Sequence, residues 1–270
     1  MTCMRVAIPL LIVVSVLAAG CGGEDEAAAP PRPAPAPRDG RIPGDAAPGG
    51  EATTPERRCV AGTQVWHASR GVAAVLRRPT EAYRSPGGQT FARFGRRNEN
   101  GVPSTFRVLR TQLGADCRPA WYRVQLPVRP NGTRGWIPAS AARRYVVDYR
   151  IVVDLSDRVV TVFKAGQRYV RTETAIGRHD TPTPTGSYYV NQRLLSGDPS
   201  GPFGPGGIGI SAFSPVLTGW AQGGPIAIHG TNQPGSIGFA ASNGCLRIAN
   251  DVLERLIHEI PDGTPVDIRA

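Results

Sequence analysis

Beyond residue 58, apolar residues come only in short runs cut apart by turn signals, and this punctuation decides most of what the chain can build. Val72 to Leu76, Phe106 to Leu109, Trp121 to Leu126 and Gly135 to Ile137 are each too short for a helix of several turns. They suit strands, and their spacing predicts a small all-β unit over residues 59–146. A second β-rich block starts near Asp148. There Ile151 to Leu155 and Val159 to Lys164 flank a polar turn, and Ala165-Gly166-Gln167 leads into Tyr169 to Ile176. That pattern predicts an antiparallel meander, because parallel winding calls for intervening helices. One helix is expected late. Asn250 is placed to cap it, Val252, Leu253, Leu256, Ile257 and Ile260 share one face, and Pro261 stops it before a last strand over Thr264 to Ile268.

Two segments precede the β blocks. Residues 1–21 read as an export signal, with one charge at Arg5, an apolar run from Val6 to Ala19, and small residues ending in Gly20 and Cys21. Leu17-Ala18-Ala19-Gly20-Cys21 resembles a bacterial lipobox, although Ala18 stands where Leu or Val is usual. The resemblance implies lipidation at Cys21, anchoring to the outer face of the cell membrane and an extracytoplasmic location facing the cell wall; a small-residue site would also suit plain secretion. Residues 22–58 are Ala, Pro, Gly and charge, too poor in apolar side chains for a core, and read as a disordered tether. As a coil it would reach roughly 30 Å.

Export makes the remaining cysteines informative, since oxidising compartments pair thiols. Cys59 and Cys117 bracket one segment and could form a disulfide, which leaves Cys245 as the odd thiol. A plainer reading makes all three small buried hydrophobes. The net charge is +10, and the tether carries 5 Arg against 7 Asp or Glu, so the excess of cations lies in the two β blocks. Nearly all of it is arginine. A basic face outside the cell suits anionic wall polymers or peptide carboxylates; no nucleic-acid module accompanies it. With neither CxxC pairs nor HExxH in the sequence, neither metal nor cofactor is expected.

The chemistry concentrates between Ile226 and Ile248. An apolar strand, Ile226-Ala227-Ile228, delivers His229 and Gly230; after a Gly-rich stretch, Ser242-Asn243-Gly244 delivers Cys245, followed by Leu246 and Arg247. A thiol is only a few per cent ionised at neutral pH, so a nucleophilic cysteine needs a base to take its proton. His229 fits as general acid and base, with the Gly230 carbonyl as the acceptor that orients it. Gly244 permits a sharp turn whose backbone N–H groups could form an oxyanion hole.

These residues resemble the L,D-transpeptidase (YkuD) family, whose signature is His-Gly followed after a loop by Ser or Thr, His, Gly and Cys. His229, Ser242, Gly244 and Cys245 match in order. Gly177, Thr181 to Gly186, Phe203 to Pro205 and Ser211 to Ser214 resemble other recurring stretches, so the likeness spans residues 148–268. Asn243 stands where a second histidine is usual, and the 12-residue spacer from His229 to Ser242 is short.

The resemblance implies a β-sandwich-like catalytic domain over residues 147–270. It also implies Cys245 as nucleophile attacking the third-residue carbonyl of a peptidoglycan stem, release of D-Ala, and a thioester resolved by an acceptor amine. Ser242, Asn243 and Arg247 would contact substrate, Arg247 through a stem carboxylate. The Trp121 to Val124 stretch, Asn131-Gly132 and Gly135 to Ile137 resemble the closing hairpin of bacterial SH3-like barrels, so the chain is expected to be mainly β, an SH3-like barrel followed by the catalytic domain, acting as a monomer. Papain-like peptidases place cysteine before histidine; here histidine comes first. Two rival functions fit the same residues: a carboxypeptidase using water as acceptor, and a non-catalytic wall-binding lipoprotein.

Overall fold

The computed structural model describes residues 32–33, 60, 62, 64–66, 71–219 and 224–270. The export segment with Cys21, and Cys59, lie outside the described residues, as does the tether apart from Arg32–Pro33, which pair antiparallel with Leu195 and Leu194. Cys117 is disulfide-bonded. No helix among the described residues is long and apolar enough to cross a membrane.

The chain is mainly β, with one α-helix among the described residues. Its first sheet uses β1 (Gln64–Trp66), β2 (Gly71–Leu76), β3 (Thr80–Tyr83), β4 (Thr90–Phe94), β5 (Thr105–Leu113), β6 (Pro119–Gln125), β7 (Arg134–Pro138) and β8 (Ala142–Val147). All neighbours are antiparallel, in the order β4-β3-β7-β6-β5-β2-β8, with β1 also on β5. The short apolar runs of the sequence fall in β2, β5, β6 and β7, with Leu126 one residue past the end of β6. Alternation sends Val72, Ala74, Leu76, Phe106, Val108, Tyr122 and Val124 to one side, where they form a core.

The second sheet starts at Tyr149. Its strands are β9 (Tyr149–Asp154), β10 (Val159–Lys164), β11 (Gln167–Glu173), β13 (Gly186–Leu195), β14 (Gly206–Phe213), β15 (Pro225–His229), β17 (Leu246–Arg247) and β18 (Pro265–Arg269). The order is β11-β10-β9-β18-β13-β14-β15-β17. β12 (Ile176–Gly177) and β16 (Ala240–Ser242) pair separately.

The meander β9-β10-β11 is antiparallel as its turns predict. The sheet as a whole is mixed: β9 with β18 and β15 with β17 run parallel, and so do β12 and β16. Nearest-neighbour turn chemistry could not reveal these pairs, because they join strands distant in sequence or separated by an irregular loop.

Helix α1 (Asn250–Glu259) lays Leu253, Leu256 and Ile257 on the second core, each buried apolar side chain contributing about 1.5 to 3 kcal/mol. Asn250 is not its cap. The chain enters the helix through Ala249, without a side-chain cap, and Asn250 turns its Oδ1 to the Thr231 N–H at 2.7 Å.

The two sheets dock through directed polar contacts. Asn131 mimics a backbone segment, donating from Nδ2 to Phe213 O (2.8 Å) and accepting from Phe213 N at Oδ1 (2.9 Å). Arg129 donates to Ser214 O (2.7 Å) and Gln125 to Ser187 O (2.7 Å). Tyr145 donates to Asp262 O (2.9 Å), and the Asp262 carboxylate forms a largely buried pair with Arg193 at 3.1 Å.

Candidate active site

Pairing register decides which side chains can meet. In the parallel pair β15/β17, Ile228 lies opposite Leu246 and His229 opposite Arg247. One step back, Ala227 stands beside Cys245. Ile226, Ile228, Leu246 and Ile248 are buried in the core, so the alternate residues Ala227, His229, Cys245 and Arg247 share the other face. Cys245 and His229 are therefore diagonal neighbours, about 8 Å apart at Cα from strand spacing and rise, a gap their side chains can span.

His229 is buried and held by two neighbours. Its ring is buried, its Nδ1 lies 2.5 Å from Gly230 O, and the Phe203 ring meets it edge-on with centroids 5.0 Å apart. A carbonyl can only accept, so Nδ1 carries the proton and Nε2 keeps its lone pair. Gly230 is packed so closely that a Cβ there would run into Asn250 Oδ1 and Pro205. The same Asn250 oxygen binds the Thr231 N–H, fixing the loop that follows the histidine.

Cys245 is the free cysteine among the described residues and is half-buried. Its Sγ lies 3.9 Å from Pro225 O and accepts from the Ala227 N–H. The turn that presents it is strapped by hydroxyls. Ser242 Oγ donates to Cys245 O (2.6 Å), Thr183 Oγ1 to Gly244 O (2.9 Å) and Thr181 Oγ1 to Ser242 O (3.1 Å). Thr183 Oγ1 also accepts from Gly177 N at 2.9 Å. Gly244 has φ +111°, a conformation that side-chain-bearing residues rarely adopt.

The Gly244 N–H, expected as an oxyanion donor, is already engaged. Rather than facing the site, the Gly244 N–H donates to Ser242 Oγ at 3.1 Å inside the turn. Among the described residues the N–H of Cys245 itself has no partner.

Both titratable groups are neutral at rest. Burial pushes the His229 pKa down to about 4, with the Arg247 charge adding to the effect and the Gly230 hydrogen bond opposing it. Burial raises the Cys245 thiol, opposed by the Ala227 N–H and the Arg247 charge. The shared face thus carries a thiol and a neutral imidazole, not a preformed thiolate and imidazolium.

Arg247 and Asn243 are partly engaged. Arg247 donates from one terminal nitrogen to Gln233 Oε1 (3.2 Å) and Ser236 Oγ (3.4 Å), while its buried Nε has no partner. Asn243 Oδ1 accepts from Arg178 at 2.5 Å. Among the described residues no cluster of His, Cys, Asp or Glu could hold a metal ion.

Thr181, Thr183 and Asn250 join the site without being singled out by the catalytic motif. Thr181-Pro182-Thr183-Pro184 does hold a usable signal. Prolines keep the chain extended, and threonines two apart then point to one side.

Comparison with known proteins agrees with the second sheet. The model of the YkuD family, an L,D-transpeptidase catalytic domain, matches residues 148–268. YkuD of Bacillus subtilis, a protein named for L,D-transpeptidase activity, is 34% identical over 125 residues, covering 46% of this chain and 68% of that protein. Its counterpart in Bacillus licheniformis is 36% identical over 123 residues, 45% of this chain and 66% of its own length. Among solved structures, an L,D-transpeptidase of Enterococcus faecium is similar at 24% identity and a TM-score of 0.36, covering 45% of this chain and 50% of that one.

Proposed function

Since this chain belongs to the L,D-transpeptidase (YkuD) family, we propose that it cross-links peptidoglycan stems through a thioester on Cys245. The observation that carries the reading is the register of β15 and β17, which sets an unpaired thiol and a neutral, oriented imidazole on one face.

In the first half-reaction Sγ attacks the third-residue carbonyl of a tetrapeptide stem as its proton passes to His229 Nε2. The Cys245 N–H is free to donate to the developing oxyanion, and the Arg247 charge favours both the departing proton and the anion. The imidazolium then returns its proton to the leaving D-Ala amine as the C–N bond breaks. In the second half-reaction an acceptor amine attacks the thioester, His229 takes the amine proton, and the thiol is regenerated. The lowered imidazole pKa keeps His229 unprotonated and able to accept at rest, and makes its imidazolium a strong acid toward the leaving amine.

Export, a lipid on Cys21 and an SH3-like role for the first sheet complete the proposal, placing a monomeric enzyme at the outer face of the membrane against wall peptides and clear of nucleic acid. The test is incubation of the purified protein with a tetrapeptide muropeptide, followed by mass spectrometry, with Cys245→Ala alongside. Loss of D-Ala with dimer formation supports transpeptidation. Loss without dimer means water is the acceptor, and no loss from the parent protein leaves a non-catalytic wall binder.

A further inference from the structure

Strand β14 runs on after it has lost its partner on one side. β13 pairs with it only as far as Val190 opposite Ile210, while β15 stays with it to Phe213 opposite Pro225. At that end the ladder bond toward β15 comes from Ser214, whose N–H reaches Gly224 O at 2.8 Å. Successive residues of a strand send their N–H and C=O to opposite edges, so those of Phe213 face the side that β13 has left. Two backbone groups there need partners from elsewhere.

The first sheet supplies them. Asn131, in the loop between β6 and β7, donates to Phe213 O at 2.8 Å and accepts from Phe213 N at 2.9 Å, the two bonds a neighbouring strand would make. Arg129 adds a bond to Ser214 O at 2.7 Å and lays its guanidinium over the Phe213 ring, 5.3 Å from the centroid. Phe213 and Pro225 both border a cavity of about 340 Å³ between the sheets, so on that side polar bonds hold the segment more than packing does.

Pro225 carries this hold to the nucleophile. It faces Phe213 across the strand pair, and its carbonyl lies 3.9 Å from Cys245 Sγ and accepts from the thiol. The Ala227 N–H, two residues on, donates to the same sulfur. Between those two contacts the register of β15 on β14 shifts, the partner changing from Gly209 for Ala227 to Phe213 for Pro225. With the ladder interrupted there, the start of β15 is held to β14 through Phe213 and Ser214.

We propose that Asn131 is a positioning residue for Cys245, fixing through Phe213 and Pro225 the carbonyl that seats the thiol. The first sheet is then a working part of the catalytic unit. The inference rests on the transpeptidase reading for its effect on turnover, whereas the seating of the thiol is measurable without substrate. Arg247 is the charge that bears on the sulfur and His229 shares its face; the substitutions below leave both in place.

A carbonyl that accepts from the thiol favours its neutral form, so loosening it lets the thiolate form more readily. In the full chain, Asn131→Ala should speed alkylation of Cys245 by iodoacetamide at pH 7 by about threefold or more. It should also lower kcat on a soluble tetrapeptide stem by about tenfold, with KM within about twofold of the parent. Arg129→Met, at an exposed position, should move both in the same direction. Gln125→Ala removes a docking bond of 2.7 Å to Ser187 O without touching Phe213 or Ser214, and should keep the parental alkylation rate and kcat. Urea unfolding of each variant verifies that the folded chain is what reacts. Parental alkylation rates in Asn131→Ala and Arg129→Met would overturn the inference. An equal change in Gln125→Ala would overturn it too, by tracing the effect to loosened docking. A parent chain that never releases D-Ala sinks the proposed function, and the alkylation rates still decide the seating of the thiol.

Discussion

Burial of His229 makes stability itself a reporter of the site. An unfolded histidine titrates near about 6.5, whereas the folded ring is held down to about 4. The folded pKa is the lower one, so as pH falls the unfolded chain takes up the proton first. Stability contributed by this group is whole above the unfolded value and drains away as pH drops toward the folded one. Linkage puts the loss at about 2 kcal/mol between pH 8 and pH 5, and at about 3 kcal/mol once pH is below both values. Equilibrium urea unfolding of the parent protein and of His229→Gln at the two pH values measures it. Every other titrating group is common to both, so the difference between the two pH-induced changes isolates the ring. The parent should lose about 2 kcal/mol more than the variant. Equal losses would mean that the ring is solvated, and the argument for a neutral base at rest would fail.

Three further outcomes follow from the same contacts. The raised Cys245 pKa predicts that alkylation by iodoacetamide keeps accelerating beyond the ordinary thiol range of about 8.5, where a preformed thiolate would already have reached its plateau; a plateau from acid pH would contradict it. Thr183→Val strands Gly244 O and Gly177 N, so it should cost about 2 kcal/mol or more by urea unfolding and lower kcat by about tenfold to a hundredfold. Arg193→Met leaves the Asp262 carboxylate buried without its cation and should cost about 3 to 5 kcal/mol by the same assay, while Arg93→Met, at an exposed pair, should cost under about 1 kcal/mol.

What can be read without coordinates is what the chain encodes locally. Runs such as Val72 to Leu76 and the meander from Tyr149 announce themselves by alternation and turns, and the apolar stripe through Leu253, Leu256 and Ile257 announces the helix. His229 and Cys245 stand out because each follows a distinctive local context. Hidden from the sequence are features made by pairs far apart along it. The parallel partnership of β9 with β18 joins residues more than a hundred positions apart, and no turn signal connects them. Asn250 has the place and chemistry of a cap because it opens a helix, yet its oxygen is claimed by Thr231, whose N–H the folded loop brings to it. Gly244 is legible as a residue free to turn, but the turn it makes spends its N–H on Ser242.

The account turns on sulfur at position 245 being the acylated atom and on the imidazole at 229 being its base. Intact-protein mass spectrometry during turnover of a tetrapeptide stem, with proteolytic mapping of the adduct, addresses both at once. The predicted result is a stem acyl group, lacking D-Ala, on Cys245 of the parent protein, absent from Cys245→Ala and forming at least a hundredfold more slowly in His229→Gln. An adduct on another residue, or formation at the parental rate without the imidazole, would contradict it.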